Sequence, residues 1–226
     1  MNQFSLPILS TLIFFPLLVV FLLILIRSEG GKNDELLRKI ALAASVIEFL
    51  ISLLLVVRFD SAVPGMQFVE FVPWVESFSL NYHLGLDGIS LWLVILTTFF
   101  VPLCVLCSWT YIKEKTRYFL IAVLFLESAM IGTFVALDLI VFYIFWEVML
   151  IPMFLLIGVW GGERRIYSAV KFFLYTAAGS IFMLVARPQH IEARVNAMVQ
   201  MIRNRLRPKN LANHALVGST TALATR

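Results

Sequence analysis

Long apolar runs separated by short polar segments dominate this sequence of 226 residues. A bilayer core about 30 Å thick is crossed by about 20 apolar residues in helical form. A window of that length selects a series of stretches that we predict to be membrane-spanning helices. These stretches lie at about 4–26, 40–57, 89–109, 119–136, 139–160 and 167–186. The pattern therefore predicts an all-α membrane protein with about six spans.

Composition supports the same fold class. Apolar residues make up 61% of the chain and charged residues 14%, and the mean hydropathy is +0.92. Soluble domains average about half apolar and a quarter charged residues. The composition excludes a soluble globular domain and makes the lipid bilayer the first expected partner of the chain.

Lys and Arg are distributed unevenly among the loops, which predicts the orientation of the spans. Loops 27–39, 110–118 and 161–166 are rich in basic residues, whereas loop 58–88 has one basic residue and the turn at 137–138 has none. Loops rich in Lys and Arg stay on the cytoplasmic side. We therefore predict that the three basic loops are cytoplasmic and that the N-terminus lies outside.

The last forty residues differ from the rest. Residues 187–226 carry seven Lys and Arg and one acidic residue, yet the alternation of spans would place them outside. Segment 191–207 could form one basic amphipathic helix, and the remainder lacks periodicity, which is typical of disorder. We divide the chain into residues 1–118, with the first three helices, residues 119–186, with the next three, and a basic tail, 187–226.

Loop 58–88 contains a pattern of its own. Apolar side chains from Phe78 to Leu84 alternate with polar ones, which is typical of a half-buried strand. We predict a small β element on the outer surface, followed by Asp87 as the N-cap of the third span.

Ionisable residues inside the spans are the candidates for chemistry, because each costs at least about 2.5–3.5 kcal/mol at a helix centre. Glu147 lies near the middle of the fifth span. Pro152 follows it and deprives the carbonyl of Val148 of its helical partner, so we expect a bend that admits water. A lysine that moves towards or away from Glu147 would change whether it holds its proton. This is the minimum machinery of a proton relay, with a structural hydrogen bond or an ion pair as the alternative.

Three further ionisable residues lie within the predicted spans. Glu127 lies in the upstream part of the fourth span and Glu48 near the middle of the second. For both, a role in a water chain competes with plain packing. Lys171 lies in the first turns of the sixth span and could instead extend its ammonium group to the membrane interface.

Other cofactor chemistry has little support. Cys104 and Cys107 resemble a redox or zinc pair, but zinc needs four ligands and His83, His190 and His214 all lie outside the spans. We interpret the cysteines as small apolar residues of a helix. The spans offer no pair of haem ligands, and the chain has no Gly-rich phosphate loop. We therefore expect neither metal nor nucleic-acid binding.

Three motifs carry a resemblance to a known family. They are Leu86-Asp-Gly-Ile-Ser-Leu-Trp92, the run around Tyr143-Ile-Phe-Trp-Glu-Val-Met-Leu-Ile-Pro152, and Ala169-Val-Lys-Phe-Phe-Leu-Tyr-Thr176. Over about residues 1–186 the chain resembles the antiporter-like subunits of proton-translocating NADH:quinone oxidoreductase, respiratory complex I, and most of all its subunit M (chain 4 in mitochondria). The second and third motifs are shared with cation/proton antiporter subunits.

The resemblance implies a fold, a function and partners. Family members have about fourteen helices, arranged partly as two inverted repeats, so this chain would be the N-terminal part. Glu147 matches the glutamate that pairs with a lysine on a later helix, and Lys171 matches the lysine of the sixth-span motif. NADH, FMN, iron–sulfur clusters and quinone would bind to other subunits. The chain would be a translocase subunit without redox chemistry of its own, in the bacterial inner membrane beside the other membrane subunits.

The resemblance stops at about Ala186, where composition and the charge rule also change. We expect a truncated or frame-shifted copy, or a gene model that ends wrongly. Two alternatives to a complex I subunit remain open: a subunit of a homologous cation/proton antiporter or membrane hydrogenase, and a non-transporting structural or relic protein.

Overall fold

A computed structural model describes residues 7–26, 33–63, 65–75 and 80–185. In this part of the chain, six helices are each long and apolar enough to cross a membrane, which confirms the all-α membrane fold. A two-stranded hairpin lies between the second and third helices. The elements are α1 (Ile8–Leu25), α2 (Asp34–Arg58), β1 (Gln67–Val75), β2 (Leu80–Leu86), α3 (Gly88–Tyr111), α4 (Thr116–Val135), α5 (Leu139–Trp160) and α6 (Arg165–Val185).

Helices α2, α3 and α5 begin where the sequence offers favourable N-terminal groups. α2 begins six residues before the predicted span, with Asp34 and Glu35 in its first turn, where acidic side chains complement the helix dipole. Asp87 accepts a 2.6 Å hydrogen bond from the Ser90 amide and caps α3, as predicted. Asp138 caps α5 in the same way, since its Oδ1 accepts from the Ile140 amide at 2.8 Å.

The contacts divide the chain into two compact units, residues 1–180 and 181–226. All elements except the last turn of α6 belong to the first unit. Of the second unit the structure describes only residues 181–185. The predicted helix and disorder of the basic tail lie outside the described residues.

Helix α4 is central to the first unit because it packs against α1, α2, α3 and α5. Its buried side chains contribute to two apolar clusters. One cluster, near the hairpin, includes Leu55, Leu84 and Ile131. The other, near the start of α4, includes Leu37 and Leu120. The two clusters bury opposite halves of the same helices.

Close packing of α4 on α5 depends on a glycine. A Cβ atom added to Gly132 would overlap the ring of Phe145. Because Gly132 has no Cβ atom, the aromatic ring of Phe145 on α5 can lie directly on the backbone of α4.

The hairpin confirms the predicted β element and adds a strand that the alternation did not reveal. β1 and β2 are antiparallel, and the register shifts between Gln67 and Glu70. Phe68 within this shift has φ 53°, in the left-handed region. An irregularity of this kind redirects neighbouring side chains.

Glu70 fastens the hairpin to the start of α1. Its Oε1 accepts from the Leu9 amide at 2.8 Å, and its Oε2 accepts from the Ser10 amide at 3.1 Å and from the Ser10 hydroxyl. The Ser10 hydroxyl also lies 3.0 Å from the Tyr82 hydroxyl of β2. Burial raises the pKa of Tyr82. Glu70 therefore caps a helix from a segment sixty residues further along the chain.

A second attachment joins β2 to the turn between α4 and α5. Leu84 pairs with Ala136, and the Leu137 amide donates a 2.9 Å hydrogen bond to the His83 carbonyl. A Cβ atom at Gly85 would lie 2.6 Å from a methyl carbon of Leu137. The hairpin thus contacts both the first helix and the fourth and fifth helices.

At the opposite end of the helices, basic side chains bind exposed carbonyl groups. Arg38 donates to the Ile112 carbonyl at 2.5 Å, and Arg117 donates to the Ile26 carbonyl at 3.3 Å. Each guanidinium satisfies a carbonyl just beyond the C-terminus of a helix, where positive charge is favourable. The basic residues that predict orientation therefore also join helix ends. The orientation itself stays a prediction.

Candidate functional site

Glu147 lies in the middle of α5. It is eight residues from the start of the helix and thirteen from its end, which corresponds to about 12 Å and about 20 Å of helix. The residue is half-buried. α5 is among the least enclosed spans, with only 17% of its most apolar window buried. The carboxyl group is therefore at membrane depth on a helix whose surface is mostly open.

The hydroxyl of Ser180 on α6 donates to Oε1 of Glu147. Ser180 is buried and also lies 2.9 Å from the Ala177 carbonyl of its own helix. Further along the same two helices, the Phe154 and Phe173 rings pack edge to face with centroids 5.8 Å apart. Sequence reasoning missed Ser180, although a small hydroxyl residue within an apolar span was a visible signal.

Pro152 follows Glu147 within the continuous helix α5. Because proline has no N–H, the carbonyl of Val148 has no helical donor. An acceptor without its helical partner therefore lies within one turn of the Glu147 carboxyl group. Polar backbone next to a carboxyl group favours entry of water at this depth.

Lys171 does not pair with Glu147 in the described part of the chain. Its ammonium group lies 5.9 Å from the ring centroid of Tyr167 and 5.7 Å from that of Tyr175, which are cation–π distances. The residue is exposed. It is nine residues, or about 14 Å of helix, from Ser180, the serine that contacts Glu147. Lys171 and Glu147 thus occupy different depths.

Glu127 does not join Glu147 but faces Glu48 of α2. The two carboxyl groups interact, and the helices that carry them pack against each other. Glu48 is 1% exposed and Glu127 0% exposed. Apart from this mutual contact, none of their four oxygens has a hydrogen-bond partner among the described residues.

The two glutamates lie between the two apolar clusters. On α2, Ala44 belongs to one cluster and Leu55 to the other, with Glu48 between them. On α4, Leu124 and Ile131 flank Glu127 in the same way. Apolar side chains therefore enclose the carboxyl pair from both ends of the helices.

The cysteines of α3 are free thiols, and both are exposed. In the described ranges, no group of three or more His, Cys, Asp and Glu side chains could hold a metal ion. His190 and His214, which the sequence analysis also weighed, lie outside those ranges.

Fold and polar residues together define a class of protein. A family model described as NADH:quinone oxidoreductase/Mrp antiporter, TM, matches residues 136–194, which include Glu147, Lys171 and Ser180. This match continues beyond Ala186, where we expected the resemblance to end. This part of the chain is therefore similar to the multi-spanning membrane proteins of the antiporter-like class.

A second family model identifies the family within that class. It is described as NADH-ubiquinone oxidoreductase chain 4, amino terminus, and it matches residues 11–133. The match covers more than half of the chain. The chain therefore belongs to the NADH-ubiquinone oxidoreductase chain 4 family, and the resemblance predicted from the motifs is confirmed.

Individual relatives agree with this assignment. NADH-quinone oxidoreductase subunit M of Rhodobacter capsulatus is 51% identical over 180 residues, covering 79% of this chain and 35% of the relative. NADH-ubiquinone oxidoreductase chain 4 of Arabidopsis thaliana is 47% identical over 179 residues, covering 79% and 36%. A chain of respiratory complex I from Thermus thermophilus superposes with a TM-score of 0.65 at 28% identity, covering 79% and 34%. The chain spans about a third of the length of these relatives.

Proposed function

We propose that this chain is a proton-translocating membrane subunit of an NADH:quinone oxidoreductase in the bacterial inner membrane. It couples quinone reduction, which takes place in other subunits, to proton movement within the bilayer. The observation that carries the proposal is the Glu147 carboxyl group, which lies in the middle of a span beside a hydroxyl partner and a proline. The names of the relatives support the same activity.

The proposed relay uses four residues of this chain. Glu147 accepts and releases a proton, and the hydroxyl of Ser180 fixes the orientation of its carboxyl group. Lys171 supplies a positive charge whose distance from Glu147 biases the release of that proton. Glu127, on α4, is a second proton-binding group. No heavy-atom bond is formed or broken at any of these steps.

NADH oxidation and quinone reduction belong to partner subunits in this proposal. NADH, FMN, iron–sulfur clusters and quinone bind there, and this chain contributes the proton path. Its partners are the other membrane subunits of the complex and the lipid bilayer. The exposed apolar surfaces of α5 and α6 are compatible with such neighbours.

A cation/proton antiporter is the second candidate. The family model that includes Glu147 and Lys171 names the Mrp antiporter beside the oxidoreductase. In that case, proton movement would depend on sodium or potassium rather than on NADH oxidation. Ion dependence and NADH dependence therefore separate the two candidates.

A segment exchange in Rhodobacter capsulatus tests the proposal. The matching 180 residues of this chain replace the corresponding part of the bacterial subunit M, in a strain that lacks its own copy. We expect NADH-driven acidification of inverted membrane vesicles to be restored. Glu147→Gln should then reduce proton translocation about a hundredfold, because an amide keeps the size of the side chain but cannot carry the proton.

Glu163→Gln is the matched control, because it makes the same chemical change on an exposed side chain between α5 and α6. It should leave translocation unchanged. Assembly is measured separately, from the amount of complex in the membrane. Normal assembly with normal pumping by Glu147→Gln would refute the role of Glu147, and pumping that needs sodium but not NADH would favour the antiporter.

A further inference from the structure

The contact between Glu48 and Glu127 is unusual because neither side chain has a conventional donor beside it. An ionised carboxyl group has acceptor oxygens only. All four oxygens are buried, and no N–H or O–H group of the described residues donates to them. A buried polar group without a hydrogen bond costs free energy, and a buried charge costs more. The contact is therefore unfavourable unless a hydrogen-bond donor other than a protein side chain lies between the carboxyl oxygens of Glu48 and Glu127.

No cation of the surrounding helices supplies that donor. α1 has no ionisable side chain between Ile8 and Leu25, and the ionisable side chains of α3 are Cys104, Cys107 and Tyr111, none of which is a cation. On α5, which also packs against α4, Glu147 is bound to Ser180.

The basic residues of α2 and α4 lie near the helix ends. Arg38 and Arg117 bind the carbonyls of other helix ends, and Lys39 forms a 2.7 Å ion pair with Glu35. Arg58 is the last residue of α2, ten residues and about 15 Å of helix from Glu48. None of these contacts brings a positive charge to the carboxyl pair.

Hydroxyl side chains next to the pair are already bonded to other groups. Ser45, one turn before Glu48, donates to the Leu42 carbonyl at 3.0 Å. Ser52, one turn after it, lies 2.7 Å from the Phe49 carbonyl and 2.8 Å from the Thr98 hydroxyl. These groups give the interior a polar strip along α2, but they leave the carboxyl oxygens without a donor.

We propose that Glu48 and Glu127 form a proton-binding site in which a proton bridges the two carboxyl groups. Binding adds one H⁺ to one oxygen, and the resulting O–H donates to an oxygen of the other carboxyl group. The charge of the pair changes from two negative charges to one, and a second proton would make the pair neutral. No other bond changes, and no oxidant or reductant is required.

The depth of the site follows from the helix positions. Glu48 and Glu127 are each about 12 Å or more of helix from either end of their spans. Apolar clusters enclose them on both sides. The site is therefore a proton store in the interior of the α1–α4 group, away from the Glu147 site on α5 and α6.

Proton binding at this pair does not depend on translocation by the complex. Only transfer of the stored proton to Glu147 rests on the proposed function. The binding and the pumping measurements can therefore fail separately, because the first uses the chain alone and the second uses the assembled complex.

Infrared spectroscopy of the whole 226-residue chain in lipid nanodiscs tests the proposal. At neutral pH, where exposed carboxyl groups are ionised, we expect a carboxylic-acid C=O band that shifts in D₂O. Glu48→Gln and Glu127→Gln should each shift or remove the band, and the double variant should lack it. Glu163→Gln, an exposed control, should keep it unchanged.

Two further measurements keep the proposal testable if the double variant folds poorly. Glu48→Asp shortens the side chain by one methylene group and should shift the band without removing it. Thermal unfolding of the wild-type chain should become easier as the pH rises and the shared proton is lost, and Glu163→Gln should show the same dependence.

Three results would overturn the proposal. The first is the absence of a carboxylic-acid band at neutral pH in the folded chain. The second is a band that persists unchanged in the double variant, since the proton would then belong to another group. The third is a band that disappears when choline chloride is replaced by sodium chloride, which would show that the pair binds a metal cation in preference to a proton.

Discussion

The first four helices (α1–α4, the closed region) and the last two (α5 and α6, the open region) hold their acidic residues in different surroundings. In the most apolar 18-residue stretch of each helix, 61% of the residues are buried in α4 and 11% in α6. Glu48 and Glu127 are enclosed by side chains, whereas Glu147 is half-buried with one serine hydroxyl as its partner. Both arrangements lie near the middle of a span. Packing of the neighbouring helices, rather than depth along the helix, therefore separates a closed carboxyl pair from an accessible carboxyl group.

The comparison predicts its largest effect on stability for loss of one member of the closed pair. Glu48→Leu removes the carboxyl group that faces Glu127 and leaves the buried Glu127 carboxyl group unsatisfied, and we expect a loss of about 2 kcal/mol in the free energy of unfolding. The double variant Glu48→Leu/Glu127→Leu should recover most of this loss, because both unsatisfied groups are gone. Glu147→Gln, in the open region, should cost less than about 1 kcal/mol.

Unfolding in mixed micelles, followed by the loss of helical circular dichroism, measures these differences. Additive losses in the double variant would show that the two carboxyl groups are energetically independent. An equal loss for Glu147→Gln would remove the distinction between the closed and the open region.

The junction between the two regions is the next target. Gly132→Ala places a methyl group against the Phe145 ring, and overpacking of this kind costs about 1–3 kcal/mol. Gly179→Ala is the matched control, because a Cβ atom there meets nothing within 4 Å. The control should gain up to about 1 kcal/mol from its higher helix propensity. Thermal unfolding of both variants gives the two signs, and a stabilised Gly132→Ala chain would refute the close approach of α4 and α5.

A smaller effect is expected where the hairpin joins the closed region. Glu70→Gln replaces a carboxylate that accepts from the Leu9 and Ser10 amides with a group that has one acceptor oxygen. We expect a loss of about 1 kcal/mol. Hydrogen exchange should accelerate at these two amides and remain unchanged in α5. Uniform acceleration along the chain would contradict a local attachment.

The smallest effect concerns the cap of α3. Hydrogen bonds from Ser90 lower the pKa of Asp87 below its ordinary value, which is about 3.9. An acidic group whose pKa is lowered in the folded chain stabilises the fold at pH values above its ordinary pKa. This stabilisation is lost as the pH falls through the pKa of the folded chain. Asp87→Asn should therefore change stability by no more than about 0.5 kcal/mol at neutral pH. Its difference from the wild-type chain should shrink as the pH falls through the lowered pKa of the folded chain, and a difference that grows in acid would reverse the sign.

The sequence predicted the spans because each one exceeds the length and apolarity that a bilayer requires. It also predicted Asp87 as a cap and the strand before it, since both are local patterns. β1 was missed because Pro73 and the apolar neighbours of Glu70 interrupt the alternation. Glu70 itself looked like an acidic loop residue, and only the irregular strand brings it to α1.

The sequence predicted the ionisable residues of the candidate site, but it did not predict which side chains contact them. Glu48, Glu127 and Glu147 each stand out as ionisable groups in apolar spans. Which of them meet depends on how α2, α4, α5 and α6 pack, and helices of this length offer several faces with similar apolarity. The hydroxyl of Ser180 and the contact between Glu48 and Glu127 therefore became visible only in three dimensions.

The double attachment of the hairpin has a consequence for biosynthesis. The ribosome makes Leu9 and Ser10 before the hairpin and Leu137 about fifty residues after it. The bond of Glu70 to α1 can thus form while α3 is still emerging, whereas the bond to the His83 carbonyl must wait until α4 has been inserted. The hairpin can therefore attach to α1 before it can attach to the turn that follows α4. A nascent chain arrested before Leu137 should accordingly have its α1 attachment and lack the second one.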